Sequence, residues 1–344
     1  MGRFSIYTSM KNFLFISVFF FQTNCLLSQV VEILHTGKNT SLRGVSVVNE
    51  KIFWVSGSNG MVFRSTNGGS SFSSIKVKNH EGRDFRDIEA LDSNTAIIMA
   101  VSEPALILKT WDGGKTWKEV FVDSTPGMFL DAMDFNGNNG VVIGDPIDGK
   151  VFLAETNDHG DSWQIINNRE CSILKTGEAF FASSGSNIAF NKQSTKYVYV
   201  SGGLHSRIFY ENDCINLPLQ MGKNSTGANA LDISPSGKKG IVVGGNFSTD
   251  KLVDSSSVLF SMGKAIVLSG PQHALHGYRS SVSYITEKKL IACGTSGVDF
   301  STDGGINWTL ISNRSFHVVK KAKNGKAVYL AGTNGAIAKL TLHN

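Results

Sequence analysis

The chain has 344 residues, of which 41% are hydrophobic and 18% are charged, and its formal net charge is +5. This composition excludes a disordered chain, a collagen and a coiled coil, and 36 glycines beside abundant Phe, Val, Ile, Ser and Thr favour short strands joined by tight turns. We therefore expect an all-β protein.

Residues 1–28 have the pattern of a secretory signal peptide. Arg3 and Lys11 precede an apolar run over residues 13–21, which a short polar stretch follows. The run is shorter than the roughly 20 apolar residues that a membrane-spanning helix needs, and no other segment approaches that length. We predict that residues 29–344 form one exported domain, in the periplasm or outside the cell, which is a monomer and has no transmembrane segment.

The exported part of the sequence offers little for nucleic-acid, metal or redox chemistry. Its 31 basic and 28 acidic residues leave an excess too small for a nucleic-acid binder. Cys25 follows a poor context for lipid attachment, so we expect no lipid anchor. Cys293 lies in an apolar stretch, whereas Cys171 and Cys214 lie in polar connections and can pair or stay free. No CxxC or Cys/His cluster is present, and we predict no metal and no cofactor.

Four segments share the pattern Ser/Thr-x-Asp/Asn-x-Gly-x-x-Trp/Phe, and each follows a strand-like run. They begin at Ser65, Thr110, Thr156 and Ser301. Intervals of 45, 46 and 145 residues indicate a period of about 46, with two degenerate copies in the longest gap. A period of this length is typical of propellers and solenoids, and each unit contains four strand-like runs, as a propeller blade does.

The period also predicts how many blades there are and how the ring closes. The 316 residues after the predicted signal peptide hold about seven units. The last unit has only three strand-like runs, and the run at residues 30–34 can supply its missing strand. We predict a seven-bladed β-propeller of four-stranded blades, closed by pairing the N-terminal strand with the C-terminal blade, which removes an exposed edge.

The repeated segment has a local structural role. Its Asp or Asn can accept backbone N–H groups in a turn, its fifth position supplies a glycine with positive φ, and its aromatic ring packs on the blade. The pattern resembles the Asp-box, or bacterial neuraminidase repeat. We therefore assign structural and not catalytic roles to the following residues: Asn67, Asp112, Asp158, Asp303, Trp117, Trp163 and Trp308.

The starts of the predicted inner strands point to a binding site on the face opposite the Asp-boxes. Alignment of these starts gives one column, formed by Arg43, Arg86, Leu130, Ala179, Asn229, Arg279 and His317. Because inner strands line the channel of a propeller, three arginines in this column predict a cationic mouth for a carboxylate, a phosphate or an acidic peptide. The predicted ligand- or client-binding residues are Arg43, Arg86, Arg279, Asn229, His317 and Asp145.

The basic residues of this column can also have purely structural roles. Each arginine can pair with a nearby carboxylate, such as Asp87, Asp131 or Asp145, and so neutralise the channel. His317 can line the channel as a structural side chain without contacting a ligand. Both alternatives stay open at the level of the sequence.

The chain resembles the photosystem II stability and assembly factors and their non-photosynthetic bacterial relatives. The resemblance rests on the Asp-box turns, on blade starts that carry arginine and on the loop Gly144-Asp145-Pro146. It implies a non-catalytic module that binds a membrane-protein precursor through an arginine-rich face, which Arg43, Arg86 and Arg279 can reproduce. We expect an exported binding and assembly module for an acidic envelope or secreted client protein, or for an anionic small ligand.

The alternative is a sialidase-like or other glycoside hydrolase. Phe85-Arg86-Asp87-Ile88 partly matches the Phe/Tyr-Arg-Ile-Pro motif of sialidases but lacks the proline. Such an enzyme also needs a tyrosine nucleophile polarised by a glutamate, together with an aspartic acid. Asp131 is a candidate for that acid, but no Tyr/Glu pair is evident at matching blade positions. We therefore favour a protein without catalytic activity.

Overall fold

The computed structural model describes residues 1–2, 29–37, 39–166 and 173–342. Residues 3–28, which make up most of the predicted signal peptide and include Cys25, lie outside the described residues. Cys171 does too, and with it any pairing to Cys214. Within the described ranges, no helix is long and apolar enough to span a bilayer.

In the described part of the chain, thirty strands form seven sheets around a ring, which confirms the predicted seven-bladed, all-β propeller. Blade 1 contains β2 (Leu42–Val47), β3 (Phe53–Gly57), β4 (Met61–Ser65) and β5 (Ser73–Lys76). Blade 2 contains β6 (Phe85–Ala90), β7 (Ala96–Ala100), β8 (Ala105–Thr110) and β9 (Lys118–Asp123). Blade 3 contains β10 (Leu130–Asn136), β11 (Asn139–Ile147), β12 (Lys150–Thr156) and β13 (Gln164–Ile165). In each blade the first strand is innermost.

The remaining blades follow in chain order. Blade 4 contains β15 (Ile188–Phe190), β16 (Tyr197–Val200), β18 (Arg207–Tyr210) and β19 (Asp213–Asn216). Blade 5 contains β20 (Thr226–Ile233), β21 (Lys239–Asn246), β22 (Ser257–Met262) and β23 (Ile266–Ser269). Its inner strand also pairs with the short strand β17 (Gly202–Gly203), which in turn pairs with β14 (Glu178–Ala179). Blade 6 contains β24 (Ser281–Tyr284), β25 (Leu290–Gly294), β26 (Gly297–Ser301) and β27 (Thr309–Ser312).

Blade 7 closes the ring with strands from both ends of the chain. Its inner three strands are β28 (Val318–Lys321), β29 (Val328–Ala331) and β30 (Ile337–Thr341). The outermost strand is β1 (Val30–His35), which pairs antiparallel with β30 so that Val30 lies opposite Thr341. The predicted closure by the N-terminal strand is therefore confirmed.

The hydrophobic core lies between the blades. Each of seven apolar clusters joins side chains from two neighbouring blades, and one of them, between blades 1 and 2, contains the fully buried Trp54. Because a blade packs on both of its faces, its middle strands are apolar throughout, as in β7, where all five residues are buried. The outer strands are more exposed, as in β5.

Inner strands of neighbouring blades are also tied by side chains that accept a backbone N–H of the next blade. The ties join Ser46 to Ala90 (2.9 Å), Asp87 to Met133 (2.8 Å), Asp134 to Phe190 (2.6 Å), Asp232 to Tyr284 (2.7 Å) and Ser281 to Val319 (3.2 Å). Inner strands lack a ladder partner on the channel side, so these bonds satisfy N–H groups that would otherwise be unpaired.

The polar groups of each Asp-box turn are hydrogen-bonded within the turn itself, as the box that begins at Thr110 shows. The Asp112 carboxylate accepts the N–H (2.9 Å) and the hydroxyl (2.6 Å) of Thr116, which lowers the pKa of Asp112 to about 2. Gly114 has φ +87°, and a Cβ there would lie 2.7 Å from Ile75 of blade 1. The Trp117 indole donates to the Gly114 carbonyl (3.2 Å). Bonds within the turn account for these groups without a catalytic role.

The other boxes repeat this arrangement. A box serine or threonine hydroxyl accepts the glycine N–H in all four, at 2.9–3.0 Å. Asn67, Asp158 and Asp303 each accept the N–H of the residue four positions later, at 2.9–3.0 Å. Trp308 is buried and donates to Gly305, whereas the indole N–H of Trp163 has no partner among the described residues.

Candidate ligand-binding site at the channel mouth

In several blades the inner strand begins with a β-bulge. In each of these blades the bulge turns one side chain away from the direction that strand alternation would give it. The pairing register shifts by one residue in β2, β6, β10 and β20. The residues left unpaired by these shifts are Arg43, Arg86, Asp131 and Asn229. Because a bulge re-aims its side chain, these four residues do not pack between blades and are available to the channel mouth.

A connecting segment, Phe181–Asn187, crosses the mouth, and we call it the plug. It leads from β14 to the inner strand of blade 4, and it contacts four other blades. Its contacts are Ser183 O with Arg43 Nη1 (3.2 Å), Ala182 O with Arg86 Nη1 (3.5 Å), Ser183 Oγ with Asn229 Oδ1 (2.9 Å) and Ser184 Oγ with Ser280 O (2.6 Å). Two of the three predicted arginines therefore lie beside the plug, and backbone carbonyls of the same chain occupy one donor of each.

Gly185 lets the plug reach the channel axis. Its φ is +59°, and a Cβ added to it would lie 2.1 Å from the carboxyl carbon of Asp87. Both the left-handed backbone and the close approach require glycine at this position.

The two arginines of blades 1 and 2 differ in their carboxylate partners. Arg86 Nε donates to Asp84 (2.8 Å), and its guanidinium also lies 5.9 Å from the Phe129 ring. Arg43 has no carboxylate partner among the described residues. Burial and the neighbouring charge of Arg86 lower the pKa of Arg43. Arg86 therefore forms an ion pair with Asp84, whereas Arg43 makes no ion pair among the described residues and interacts with Asp84 only at longer range.

His317 and Asp131 border the arginines, and both are buried. Burial first, and then the charges of Arg43 and Arg86, lower the pKa of His317 to about 3, so that its ring is neutral. Burial and the nearby Asp145 raise the pKa of Asp131 well above its usual range. His317 Nε2 has no hydrogen-bond partner among the described residues. The two arginines thus lie beside a neutral imidazole and a carboxyl group whose ionisation is disfavoured.

Asp145 and Asn229 hold the plug in place. The Phe180 N–H donates to Asp145 Oδ1 (3.1 Å) at the base of the plug, and burial raises the pKa of Asp145. Asn229 Oδ1 accepts both the Ser183 hydroxyl and the Tyr278 hydroxyl (each 2.9 Å). Both predicted residues thus lie at the mouth, and the hydrogen bonds they make there are to the protein itself.

The position of Arg279 differs from the prediction. Its side chain is completely buried, and Nε donates to Asp299 Oδ2 (2.7 Å) while Nη1 donates to Tyr278 O (2.7 Å) and Ser296 Oγ (2.8 Å). His276 Nδ1 also contacts the Asp299 carboxylate, at 2.6 Å. Arg279 therefore does not reach the channel, and its charge belongs to a buried ion pair.

A one-residue difference in register explains this correction. A Cβ on Gly57 would lie 3.0 Å from the Cα of Leu42, and a Cβ on Gly294 would lie 3.0 Å from the Cα of Arg279. Arg279 is thus equivalent to Leu42, and the following Ser280 is equivalent to Arg43.

The same comparison corrects two further members of the column. In blade 3 the channel position belongs to Asp131, the bulged residue, and not to Leu130. Ala179 lies in β14, which pairs with β17 and not with blade 4, whose inner strand starts only at Ile188. The corrected column is Arg43, Arg86, Asp131, Ser186, Asn229, Ser280 and His317.

Two residues at the mouth, Ser183 and Tyr278, were absent from the sequence-based set. Burial raises the pKa of Tyr278 to about 12, so its hydroxyl remains a donor to Asn229. The sequence does contain an indication of the plug. One of the two degenerate boxes lies near Glu211, 55 residues after Thr156, and this interval exceeds the period of about 46 residues.

Asp87, beneath the plug, makes the stability of the fold depend on pH. It is buried and accepts the N–H groups of Ile88 and Met133 (2.8 Å each), and burial raises its pKa to about 8. The unfolded chain loses this proton near pH 4 and the folded chain near pH 8, so its contribution to stability is lost as the pH rises through this interval.

The stability of Asp87→Asn relative to the wild type is therefore expected to rise by at least about 1 kcal/mol between pH 4 and pH 9, because the amide cannot ionise. Urea unfolding at several pH values measures the difference. Asp254→Asn, at an exposed position, is the matched control. A difference that does not vary with pH would contradict the role given to Asp87.

Comparison with known proteins supports the fold and the resemblance. The sequence model for the photosynthesis system II assembly factor YCF48 matches residues 97–171, which cover parts of blades 2 and 3. A solved structure of YCF48 bound to D1 peptide has 16% identity and a TM-score of 0.60, covering 92% of this chain and 97% of that one. YCF48 from Cyanidioschyzon merolae has 11% identity and a TM-score of 0.59, covering 90% and 98%. This chain therefore has the propeller fold of YCF48 and is similar to it in sequence over residues 97–171.

An enzyme shares the same fold. The GH74 enzyme of Niastella koreensis has 14% identity and a TM-score of 0.57, and the match covers 90% of this chain but only 53% of the enzyme. No curated protein matches the sequence significantly.

In this propeller a tyrosine and a glutamate do meet, but they lie far from the arginines. Tyr197 donates its hydroxyl to Glu155 (2.6 Å) in a cleft of about 590 Å³ between blades 3 and 4. Tyr197 lies opposite Phe190, the last residue of its inner strand, whereas Arg43 and Arg86 lie at the starts of theirs. The pair is thus at the Asp-box end, and the arginines are at the other end. The described residues also contain no cluster of His, Cys, Asp and Glu that could hold a metal ion.

Proposed function

We propose that this propeller is an exported, non-catalytic binding and assembly module that takes an acidic segment of a client protein, or an anionic small ligand, at Arg43 and Arg86. One observation carries the proposal. Two guanidinium groups from neighbouring blades lie close enough for Arg86 to lower the pKa of Arg43, and Arg43 has no carboxylate partner among the described residues.

The present contacts of the arginines suit exchange with an anion. Arg43 and Arg86 each donate one N–H to a plug carbonyl, at 3.2 and 3.5 Å, which are long distances for a charged donor. A carboxylate offers charge as well as two oxygens, so it forms shorter and stronger bonds with a guanidinium than a neutral carbonyl does. We therefore expect a bound carboxylate to replace the Ser183 and Ala182 carbonyls.

The neighbours of the arginines favour the same kind of ligand. His317 is neutral at ordinary pH, and the raised pKa of Asp131 reduces the negative charge beside Arg86. The excess positive charge would be neutralised by an incoming acidic group. The resemblance to YCF48, for which a structure with a D1 peptide exists, supports a peptide as the ligand. The pattern of residues 1–28 supports export.

The double variant Arg43→Ala, Arg86→Ala tests this function. We expect binding of a fluorescein-labelled oligoglutamate peptide, measured by fluorescence anisotropy at low salt, to weaken at least 30-fold, because both charged donors are lost. The matched oligoglutamine peptide should not bind either protein. In native cell-envelope extracts, the wild type should capture a client that the double variant does not.

Arg314→Ala is the control variant, since Arg314 is exposed and is also an arginine near a blade start. It removes one positive charge without touching the plug, and peptide affinity should change less than twofold. Equal affinity of the wild type and the double variant, with both proteins folded, would contradict the proposed function.

A further inference from the structure

Exposed apolar side chains collect on one sector of the face that carries the channel mouth. They occupy connections that lead into inner strands or join the second and third strands of blades 4 and 5. We call them the apolar rim, formed by Ile173, Leu204, Met221, Phe247, Leu252 and Val253. Val253 is 55% exposed and Ile173 70% exposed, which is unusual for branched apolar side chains.

Backbone hydrogen bonds join these connections into one surface. Leu204 N–H donates to Gly177 O (2.9 Å), and Gly222 N–H donates to Gly203 O (3.4 Å). Gln220 N–H donates to Ser255 O (3.0 Å), and Phe247 N–H donates to Ser225 O (3.1 Å). The connections that carry the rim are therefore joined to one another, and exposed apolar side chains grouped in this way on one face favour an interaction site.

Each of three connections that form the rim also carries an exposed lysine next to its apolar residues. Lys175 follows Ile173, Lys223 follows Met221, and Lys251 precedes Leu252 and Val253. A lysine beside an apolar side chain can lay its methylene chain along an apolar phase while its ammonium group stays in the polar layer.

The acidic residues of the longest connection offset part of this charge. Asp250 accepts the Thr295 hydroxyl (2.6 Å) and Asp254 accepts the Ser255 hydroxyl (2.9 Å), so three lysines against two carboxylates leave an excess of one positive charge. The sector thus combines exposed apolar side chains with a small positive excess.

We propose that the apolar rim docks the propeller on an anionic lipid surface, with the face of the channel mouth turned towards the bilayer. A lipid interface accepts apolar side chains below the headgroups and attracts lysines through anionic headgroups, and the rim offers both in three separate connections. Leu252 and Val253 are consecutive and both half exposed, so they can enter the interface together.

Docking in this way brings the mouth close to the membrane. The Phe247 ring lies 5.9 Å from the ring of Phe181, the first residue of the plug, and 6.2 Å from the ring of Tyr278. The lipid contact uses none of the arginines, so it does not depend on the proposed function.

Co-sedimentation with sucrose-loaded vesicles tests the proposal. We expect the wild type to bind vesicles of phosphatidylcholine and phosphatidylglycerol in a 7:3 ratio, and to bind pure phosphatidylcholine at least fivefold more weakly. Leu252→Ser with Val253→Ser should reduce the partition coefficient at least tenfold, because it removes the two most closely spaced apolar side chains of the rim. Lys175→Ala with Lys223→Ala and Lys251→Ala should abolish the preference for anionic vesicles.

The control is Ile165→Ser with Val267→Ser, which removes two exposed apolar side chains from outer strands and should leave vesicle binding unchanged. Absence of wild-type binding to the anionic vesicles, or equal losses in the rim and control variants, would overturn the proposal. So would light scattering that shows a dimer which the rim variant converts to a monomer, since the rim would then join two copies. Oligoglutamate binding in solution without lipid is measured separately, so failure here is distinct from failure of the arginine site.

Discussion

Replacing Arg279 by methionine is expected to lower the free energy of unfolding by about 3–5 kcal/mol. Arg279 and Asp299 form a completely buried ion pair, and Arg279 also donates to Ser296 (2.8 Å). Methionine fills much of the same volume but leaves the Asp299 carboxylate without its guanidinium in a dry environment. Urea unfolding followed by tryptophan fluorescence measures the loss.

Two further variants show whether this loss comes from the unpaired charge. The double variant Arg279→Met, Asp299→Leu should recover much of the lost stability, because an apolar pair often replaces a buried ion pair without net cost. Arg314→Met, at an exposed position, should change stability by less than about 0.5 kcal/mol. Wild-type stability of the single variant, accompanied by lost oligoglutamate binding, would return Arg279 to the ligand site.

Removing β1 is expected to lower the free energy of unfolding by roughly 3–6 kcal/mol. A chain that starts at residue 37 loses the outer strand of blade 7 and its ladder with β30. It also loses Val31 and Ile33 from the core between blades 6 and 7, and Leu34 from the core between blades 7 and 1. Thermal and urea unfolding measure the effect.

The matched control is a chain that starts at residue 29, which keeps β1 and lacks the predicted signal peptide. It should unfold in one cooperative transition, whereas the shorter chain should also self-associate through the uncovered edge of β30. If the two chains have the same unfolding midpoint and the same size in solution, β1 does not stabilise the closed ring.

The architecture was predictable because it depends on short-range signals that repeat. The glycines and aromatic residues of the boxes are set by turn geometry, so a period of about 46 residues counts the blades. Closure followed from the same count, since a blade with three strand-like runs needs a fourth, and residues 30–34 are a short run rich in β-branched residues. Pairing of β1 with β30 agrees with that expectation.

The binding site was less predictable because equivalent positions carry unrelated residues. Leu42-Arg43-Gly44 and Tyr278-Arg279-Ser280 look alike in sequence, yet their arginines occupy positions that differ by one residue. Only the strand pairing shows which arginine is bulged and which is buried beside Asp299. The burial of Arg279 depends on contacts across blade 6, and no local pattern contains them.

The plug is held by contacts between residues that are still farther apart in the sequence. Ser183 meets Arg43 across 140 residues of sequence, and Ser184 meets Ser280 across 96. Ser183-Ser184-Gly185-Ser186 has the composition of an ordinary surface turn. The extra length of this repeat unit indicates an insertion, but it does not indicate where in the structure the insertion lies.

The β-bulges at the starts of four inner strands separate the positions of the proposed ligand site from the side chains that pack one blade on the next. Each bulged residue stands outside the strand alternation, and the four positions carry two arginines, an aspartate and an asparagine on equivalent backbones. Arg43 and Arg86 are partly exposed, so substitutions at these two positions alter charge and size at the mouth while the apolar clusters keep all their members. The ring can therefore acquire a new specificity through single codon changes while its folding information stays intact.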